Sequence, residues 1–399
     1  MPNRRKSICH CHAHPLQNQK DNLRAARGQA TRANRARGTM KTFFSSRAGI
    51  IAVGVAIGVL APLLQYWGNP GNMGICVACF ERDITGALGL HRAEVVQYIR
   101  PEIIGFVLGS LLAALVFRDF RPRAGSAPVA RFVLGAFAMI GALVFLGCPW
   151  RAILRLAGGD LSAVFGILGL VAGIFIGTIF FRKGYTLGRA QKTYPSVGLI
   201  LPLCMAGLLA MMLASPQVQG ELKSGVLFYS VKGPGAMHAP LLISLLVGLF
   251  VGFIAQRSRF CTMGAFRDVI LFKQSHLLLG VVALLVAASV VNALLGQVKV
   301  GFEGQPVAHT QQVWNFAGML LAGWSFALAG GCPGRQLFLA GEGDGDAAVF
   351  VFGMIAGAAF AHNFGLASSP AGVGPHGILA VFIGLAVCLY FGLTMRAKS

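Results

Sequence analysis

Two fourteen-residue segments, GCPWRAILRLAGGD from Gly147 and GCPGRQLFLAGEGD from Gly331, carry the same chemically distinctive residues 184 positions apart. The shared positions are Gly147/Gly331, Cys148/Cys332, Pro149/Pro333, Arg151/Arg335, Gly159/Gly343 and Asp160/Asp344. A second pair lies upstream. CVACFERD from Cys76 and CTMGAFRD from Cys261 match at Cys76/Cys261, Arg82/Arg267 and Asp83/Asp268. In each Cys-Pro segment the proline suits the first position of a helix, which leaves cysteine as the cap. The free N–H groups and positive partial charge of a helix start form a ready anion site. Arg151 and Arg335 fall one turn along on the same face, where their planar donor forks match an oxyanion. Cys76 and Asp83 share a helical face, with Arg82 adjacent for charge balance. Arginine and aspartate in apolar surroundings are costly unless paired, so Arg82, Asp83, Arg267 and Asp268 join the candidate site.

The elements that hold these residues are apolar. Of 399 residues 55% are hydrophobic and only 12% charged, and the mean hydropathy is +0.68. Soluble domains carry roughly a quarter charged residues, so the chain reads as an all-α integral membrane protein. The net charge of +21 does not mark a nucleic-acid binder. Residues 1–47 hold eleven Lys and Arg against one acid, Asp21, and the remaining basic residues sit in short loops. That is the distribution of cytoplasmic anchoring.

Apolar stretches at 48–67, 102–117, 129–147, 161–181, 196–214, 239–256, 277–296, 313–331, 347–367 and 376–395 predict ten spanning helices. Placing the N-terminus in the cytoplasm puts Arg118, Arg121, Arg123, Arg182, Lys183, Arg257 and Arg259 on the same side. The expected layout is a basic, disordered cytoplasmic tail over 1–46, a repeat over 47–195 and a linking span and loop over 196–236. A second repeat over 237–370 and a final span with a cytoplasmic tail over 371–399 follow. Four spans plus one linking span are odd in number, so the second repeat enters the membrane inverted. The cysteine motifs then form re-entrant segments, two dipping from each face toward the midplane. Met40-Lys41 before the first apolar run would make an ordinary membrane-protein start. Cys9, His10, Cys11, His12 and His14 are spaced too tightly for an ordinary zinc site, so no metal is expected. Cys204 and Cys388 read as small apolar residues, and His91 and His276 as interfacial. The glycines at 353 and 357 read as helix-packing positions.

MGICVACFERDITGALGLHRA, FLGCPWRAILRLAGGD, SRFCTMGAFRDVI and LAGGCPGRQLFLAGEGD resemble the signature segments of the YeeE/YedE sulfur-transport family. The likeness is strongest to its selenium-associated YedE branch, and it covers about residues 45–395. The resemblance implies a bacterial inner-membrane protein that imports a small sulfur- or selenium-containing anion, thiosulfate among them. It implies no enzymatic activity and no cofactor. It also implies a pathway of re-entrant cysteines, here Cys76, Cys148, Cys261 and Cys332, and a soluble TusA-like sulfur carrier on the cytoplasmic side. Burial opposes the pull of the helix starts on these thiols. Neutral thiols are therefore expected, since a thiolate would repel the arriving anion. Cys79 departs from the repeat, with Gly264 opposite, and with Cys76 it forms Cys-x-x-Cys. That motif keeps a membrane thiol–disulfide relay open as an alternative, beside a passive small-anion channel. No nucleotide-binding motif is present.

Overall fold

The computed structural model describes residues 43–215 and 226–396. The N-terminal Cys/His cluster and most of the basic tail lie outside the described residues. From α1 (Arg47–Tyr66) the chain enters a short α2 (Val77–Ala87), then α3 (Pro101–Val116) and α4 (Pro128–Phe145). A short α5 (Pro149–Ala157), α6 (Ser162–Arg182) and α7 (Pro195–Ala214) follow. The same order then recurs. It comprises α8 (Leu241–Ser258), a short α9 (Thr262–Phe272), α10 (His276–Leu294), α11 (Gln312–Ala329), a short α12 (Pro333–Gly341), α13 (Gly345–Asn363) and α14 (Gly377–Thr394). Among the described residues nine helical segments are long and apolar enough to cross a bilayer, and α3, with 16 residues, completes the ten expected long helices. The chain is an all-α, multi-pass membrane protein.

Sequence signals fix the boundaries of the short helices. Pro149 and Pro333 open α5 and α12, and α2 and α9 open directly after Cys76 and Cys261. At 9 to 11 residues each and about 1.5 Å per residue, they reach about half of a hydrocarbon core roughly 30 Å thick.

The long helices associate across the two halves. The main pairings are α1 with α10, α3 with α8, α4 with α13, α6 with α11, and α4 with α11. Hydrophobicity cannot drive such pairing in lipid, so close backbone approach must. Glycine supplies it. A Cβ on Gly54 would strike the carbonyl of Gly280 in α10, and one on Gly353 would strike that of Phe132 in α4. Gly357 likewise lies against Ala136, so positions 353 and 357 pack helices. Each short helix also docks on a span of the other half: α2 on α13, α5 on α10, α9 on α6 and α12 on α3. The outlying helices break this pattern. α7 rests on α3, α12 and α13, whereas α14 rests on α11, α4 and α6.

Loops gather on two faces. On the basic face, β1 (Arg123–Ala124) pairs antiparallel with β2 (Gln191–Lys192), and Arg121 N donates to Glu342 O. On the opposite face Lys299 N donates to Gly158 O, Ser368 N to Leu143 O and Phe228 N to Ala87 O.

Gly54→Leu should force α1 from α10 and lower stability by about 1–3 kcal/mol or more. Gly207, with open space where a Cβ would sit, is the control. Melting in detergent should show a clear loss for Gly54→Leu and little change for Gly207→Leu.

Candidate functional site

Every short helix starts on a motif cysteine. Cys76, Cys148, Cys261 and Cys332 are the N-caps of α2, α5, α9 and α12, each in extended backbone conformation. Cys76 Sγ accepts from Cys79 N at 3.3 Å, and Cys261 Sγ accepts from Gly264 N at 3.3 Å. Cys148 and Cys332 make no such cap bond; their thiols turn to a neighbouring cap instead. Cys332 Sγ lies 3.7 Å from Cys261 Sγ. Cys148 neighbours Cys76, and the N–H groups of Ala78 and Arg151 approach its sulfur. Those of Thr262 and Arg335 approach Cys332 in the same way. The thiols therefore form two pairs, and at each pair two helix N-termini converge. The seven cysteines of the described residues are free thiols. Cys204 is exposed on α7, and Cys388 contacts Ser325 Oγ at 3.3 Å.

Between the two pairs sits an aromatic cluster. Trp150 packs against Phe106 (5.9 Å between centroids), Phe260 (5.7 Å) and Phe338 (6.1 Å). Trp150 follows Cys148 by two residues, and Phe260 immediately precedes Cys261, so the cluster bridges the pairs. Its counterpart in the second copy is Gly334, where a Cβ would lie 3.3 Å from Trp150 Cζ2. The indole of one motif thus occupies the space that the other motif leaves open. Trp150 Nε1 and Thr262 Oγ1 are buried and have no hydrogen-bond partner among the described residues.

A cavity of about 860 Å³ lies at the basic face and reaches Cys261. Arg121, Arg123, Arg257, Arg259, Arg267 and Arg335 line it, against Asp119, Asp268 and Glu342. The excess of positive charge draws anions inward. Arg335 is 3.4 Å from Glu342, and the partly exposed Arg267 pairs with Asp268 at 2.8 Å.

Their counterparts in the first half are sealed. Arg82 contacts Asp83 at 2.6 Å, and Asp83 is shared with Arg100 at 2.7 Å, all buried. Arg100 donates to Pro234 O and Met237 O and stacks on Phe80. Arg151 departs from the expectation that it meets an anion as Arg335 does. Its guanidinium donates to the carbonyls of Leu146, Asn72, Pro306 and Val307, with Cys79 Sγ at 3.6 Å. Those carbonyls hold its fork, so it clamps loops of the opposite face.

One of the two histidines also differs from expectation. His276 lines the cavity, but His91 is buried, not interfacial. His91 Nδ1 accepts from Ala93 N while Nε2 faces Arg82 O at 3.0 Å, which fixes a neutral tautomer. His309 repeats the arrangement with Gln311 N and Val144 O. Burial, helped by nearby Arg82 and Arg155 respectively, holds both below the usual imidazole value. Motif reading missed Arg100, Arg155, Trp150 and Glu81. Arg155 pairs with Asp160 at 2.6 Å, and Glu81 is a buried acid inside the first motif. The available signal for Arg100 and Arg155 was a charge in an apolar frame, and for Glu81 and Trp150 a mismatch with Phe266 and Gly334 in the second copy. Among the described residues no group of His, Cys, Asp and Glu is placed to hold a metal ion.

Residues 17–176 and 257–384 match the profile of the family described as sulphur transport. The chain is 37% identical over 99 residues to the thiosulfate transporter TsuA of Spirochaeta thermophila, covering 25% of this chain and 29% of that protein. It is 32% identical over 108 residues to the thiosulfate transporter TsuA of Escherichia coli, covering 27% and 30%. These matches span less than a third of either relative's length.

An impermeant thiol reagent applied at the basic face should modify Cys261, which borders the cavity, while Cys76, Cys79 and Cys148 stay unlabelled. Equal labelling of all by peptide mass mapping would contradict the sealed first half. The two histidines set a pH dependence. Their folded values lie below the unfolded value of about 6.5, so their stability contribution is complete above it and declines as pH falls below it. Melting temperatures at pH 5 and pH 8 should differ less in His91→Asn/His309→Asn than in the unaltered chain.

Proposed function

The chain belongs to the sulphur-transport family, and on that premise we propose that it carries a small sulfur- or selenium-containing anion across the bacterial inner membrane. Thiosulfate, the substrate named for the relatives, is the first candidate. The observation that carries this reading is the convergence of two helix N-termini on each buried thiol pair. Four half-length helices direct positive ends at sulfur, and an anion is the partner that such ends favour. A neutral S–H donates weakly to a soft sulfur or selenium atom and releases it readily, as repeated conduction sites require.

In this reading the two halves are inverted repeats. Cys261 and Cys332 serve the basic, cytoplasmic side, and Cys76 and Cys148 the external side, with both chain termini in the cytoplasm. Arg267 and Arg335, balanced by Asp268 and Glu342, gather the anion at the cytoplasmic mouth. Arg82, Asp83 and Arg151 hold the external helix starts in place. Cys79, within reach of Arg151, reinforces the external pair. A soluble TusA-like carrier would meet the substrate at the basic face. The role is transport and not catalysis, and it needs no covalent turnover of the thiols.

Uptake of labelled thiosulfate by cells lacking their own transporter tests the reading. Cys→Ser at 76, 148, 261 or 332 should cut uptake at least about tenfold, the equivalent of one lost interaction of roughly 1.4 kcal/mol; Cys→Ala should cut it further. Arg335→Lys should weaken uptake and Arg335→Ala nearly abolish it. Full activity in all four serine variants would leave a passive channel. A persulfide adduct or a Cys76–Cys79 disulfide trapped during turnover would favour the thiol–disulfide relay.

A further inference from the structure

Glu81 stands in the first cysteine motif, on the same short helix as Cys76 and Cys79. It is buried, and neither carboxyl oxygen has a hydrogen-bond partner among the described residues. Its counterpart 185 residues on is Phe266, which packs against the hydrophobic core. The second copy of the motif therefore builds the same helix with an apolar side chain, and the fold does not require an acid at this position.

The charges around it are engaged elsewhere. α2 packs on α13, α4, α12 and α3. On these helices Asp346 accepts from Gly125 N and Ser126 N, Arg131 donates to Ser126 O, Arg335 pairs with Glu342, and Glu102 accepts from Asn69. The ring of His362 lies tilted against that of His91 at 4.5 Å, and its buried Nε2 has no hydrogen-bond partner among the described residues. On α2 itself Arg82 and Asp83 hold each other, and Arg100 completes that group. Among the described residues no Lys or Arg is left to neutralise Glu81. An unpaired carboxylate at such a site carries a desolvation penalty of several kcal/mol, which a bound proton removes. Ionisable side chains retained inside membrane proteins in this way mark ion or proton paths.

We propose that Glu81 is a proton-binding site and that it couples anion movement to protons. This rests on the transport reading above. With α2 seated, as in this structure, Glu81 holds a proton. When α2 shifts to open the Cys76/Cys148 pair to water, Glu81 becomes hydrated and exchanges its proton with that side; when α12, on which α2 packs, shifts to open the Cys332 cap, Glu81 is hydrated from the opposite side and exchanges its proton there. A proton taken from one side and released on the other travels with the anion and offsets one of its charges. Because the acid shares a rigid 11-residue helix with the Cys76 cap, thiol exposure and proton exchange are one motion.

The test uses the full chain in proteoliposomes with thiosulfate as the probe. An inward-directed proton gradient should accelerate uptake severalfold in the unaltered chain. In Glu81→Gln the gradient should have no effect, while exchange of labelled for unlabelled thiosulfate persists. Glu81→Phe, which copies the second motif, should fold and behave as Glu81→Gln does. The proposal is overturned if the unaltered chain exchanges thiosulfate but ignores the gradient, or if Glu81→Gln still responds to it. A second readout is independent of transport. Infrared difference spectra at pH 7 should contain a protonated-carboxyl band that Glu81→Gln removes, and absence of that band sinks the proton site. Failure of thiosulfate exchange in the unaltered chain, with the band present, would instead strike the transport reading.

Discussion

Four helices begin inside this protein, and the rest of the architecture answers that one constraint. A helix start leaves backbone N–H groups without partners, and a bilayer core offers nothing to satisfy them. Each start must therefore be walled off by protein and capped by a group small enough to fit. Cysteine takes the cap position at 76, 148, 261 and 332, and at 76 and 261 its sulfur accepts the cap hydrogen bond. The walls come from spans of the opposite half, which approach closely because glycines such as Gly54 and Gly353 let backbone meet backbone. The two starts at each pair present like partial charge to one another. Polarizable sulfur between them tempers that repulsion.

The two copies of the motif then diverge in a consistent direction. In the first half the buried motif arginines are paired or capped: Arg82 with Asp83, which Arg100 shares, Arg155 with Asp160, Arg151 with four carbonyls. Trp150 fills the space beside Gly334. In the second half Arg267 and Arg335 stand partly exposed at a wide basic cavity. Side chains at matching motif positions thus seal one half and open the other, while the helix order is the same in both.

Most of the frame was legible in the sequence, because bilayer length and positive charge leave coarse, local marks. The long apolar runs, the Cys-Pro starts and the basic loops needed no tertiary information. The fates of individual polar side chains did. Whether Arg151 is free depends on Pro306 and Val307, about 155 residues away in sequence. Asp83 has its second partner in Arg100, which lies outside the motif. His91 is next to polar loop residues and reads as interfacial until Gly86 and His362 close over it. Trp150 is an ordinary apolar residue in one copy; only its facing glycine in the other gives it a role. Repeats make such residues easy to overlook, since attention goes to matches, whereas the informative positions here are the mismatches.

The mismatches also bear on direction. If the halves are inverted as proposed, perfect symmetry would offer both faces the same affinity, charge and access, and nothing would distinguish the two sides. Here one thiol pair borders an open basic cavity, whereas the other lies behind buried ion pairs and an aromatic plug. On the proposed pathway, moving the anion past that plug would require Trp150, Phe106, Phe260 and Phe338 to part, and they are contributed by α3, α5 and α12 and by the residue before Cys261. Since α12 docks on α3 and α5 on α10, separating the rings means shifting the short helices relative to the long ones. On that pathway the aromatic cluster would tie the access of one thiol pair to the position of the other, since packed contacts between elements pass a shift of one to its neighbour.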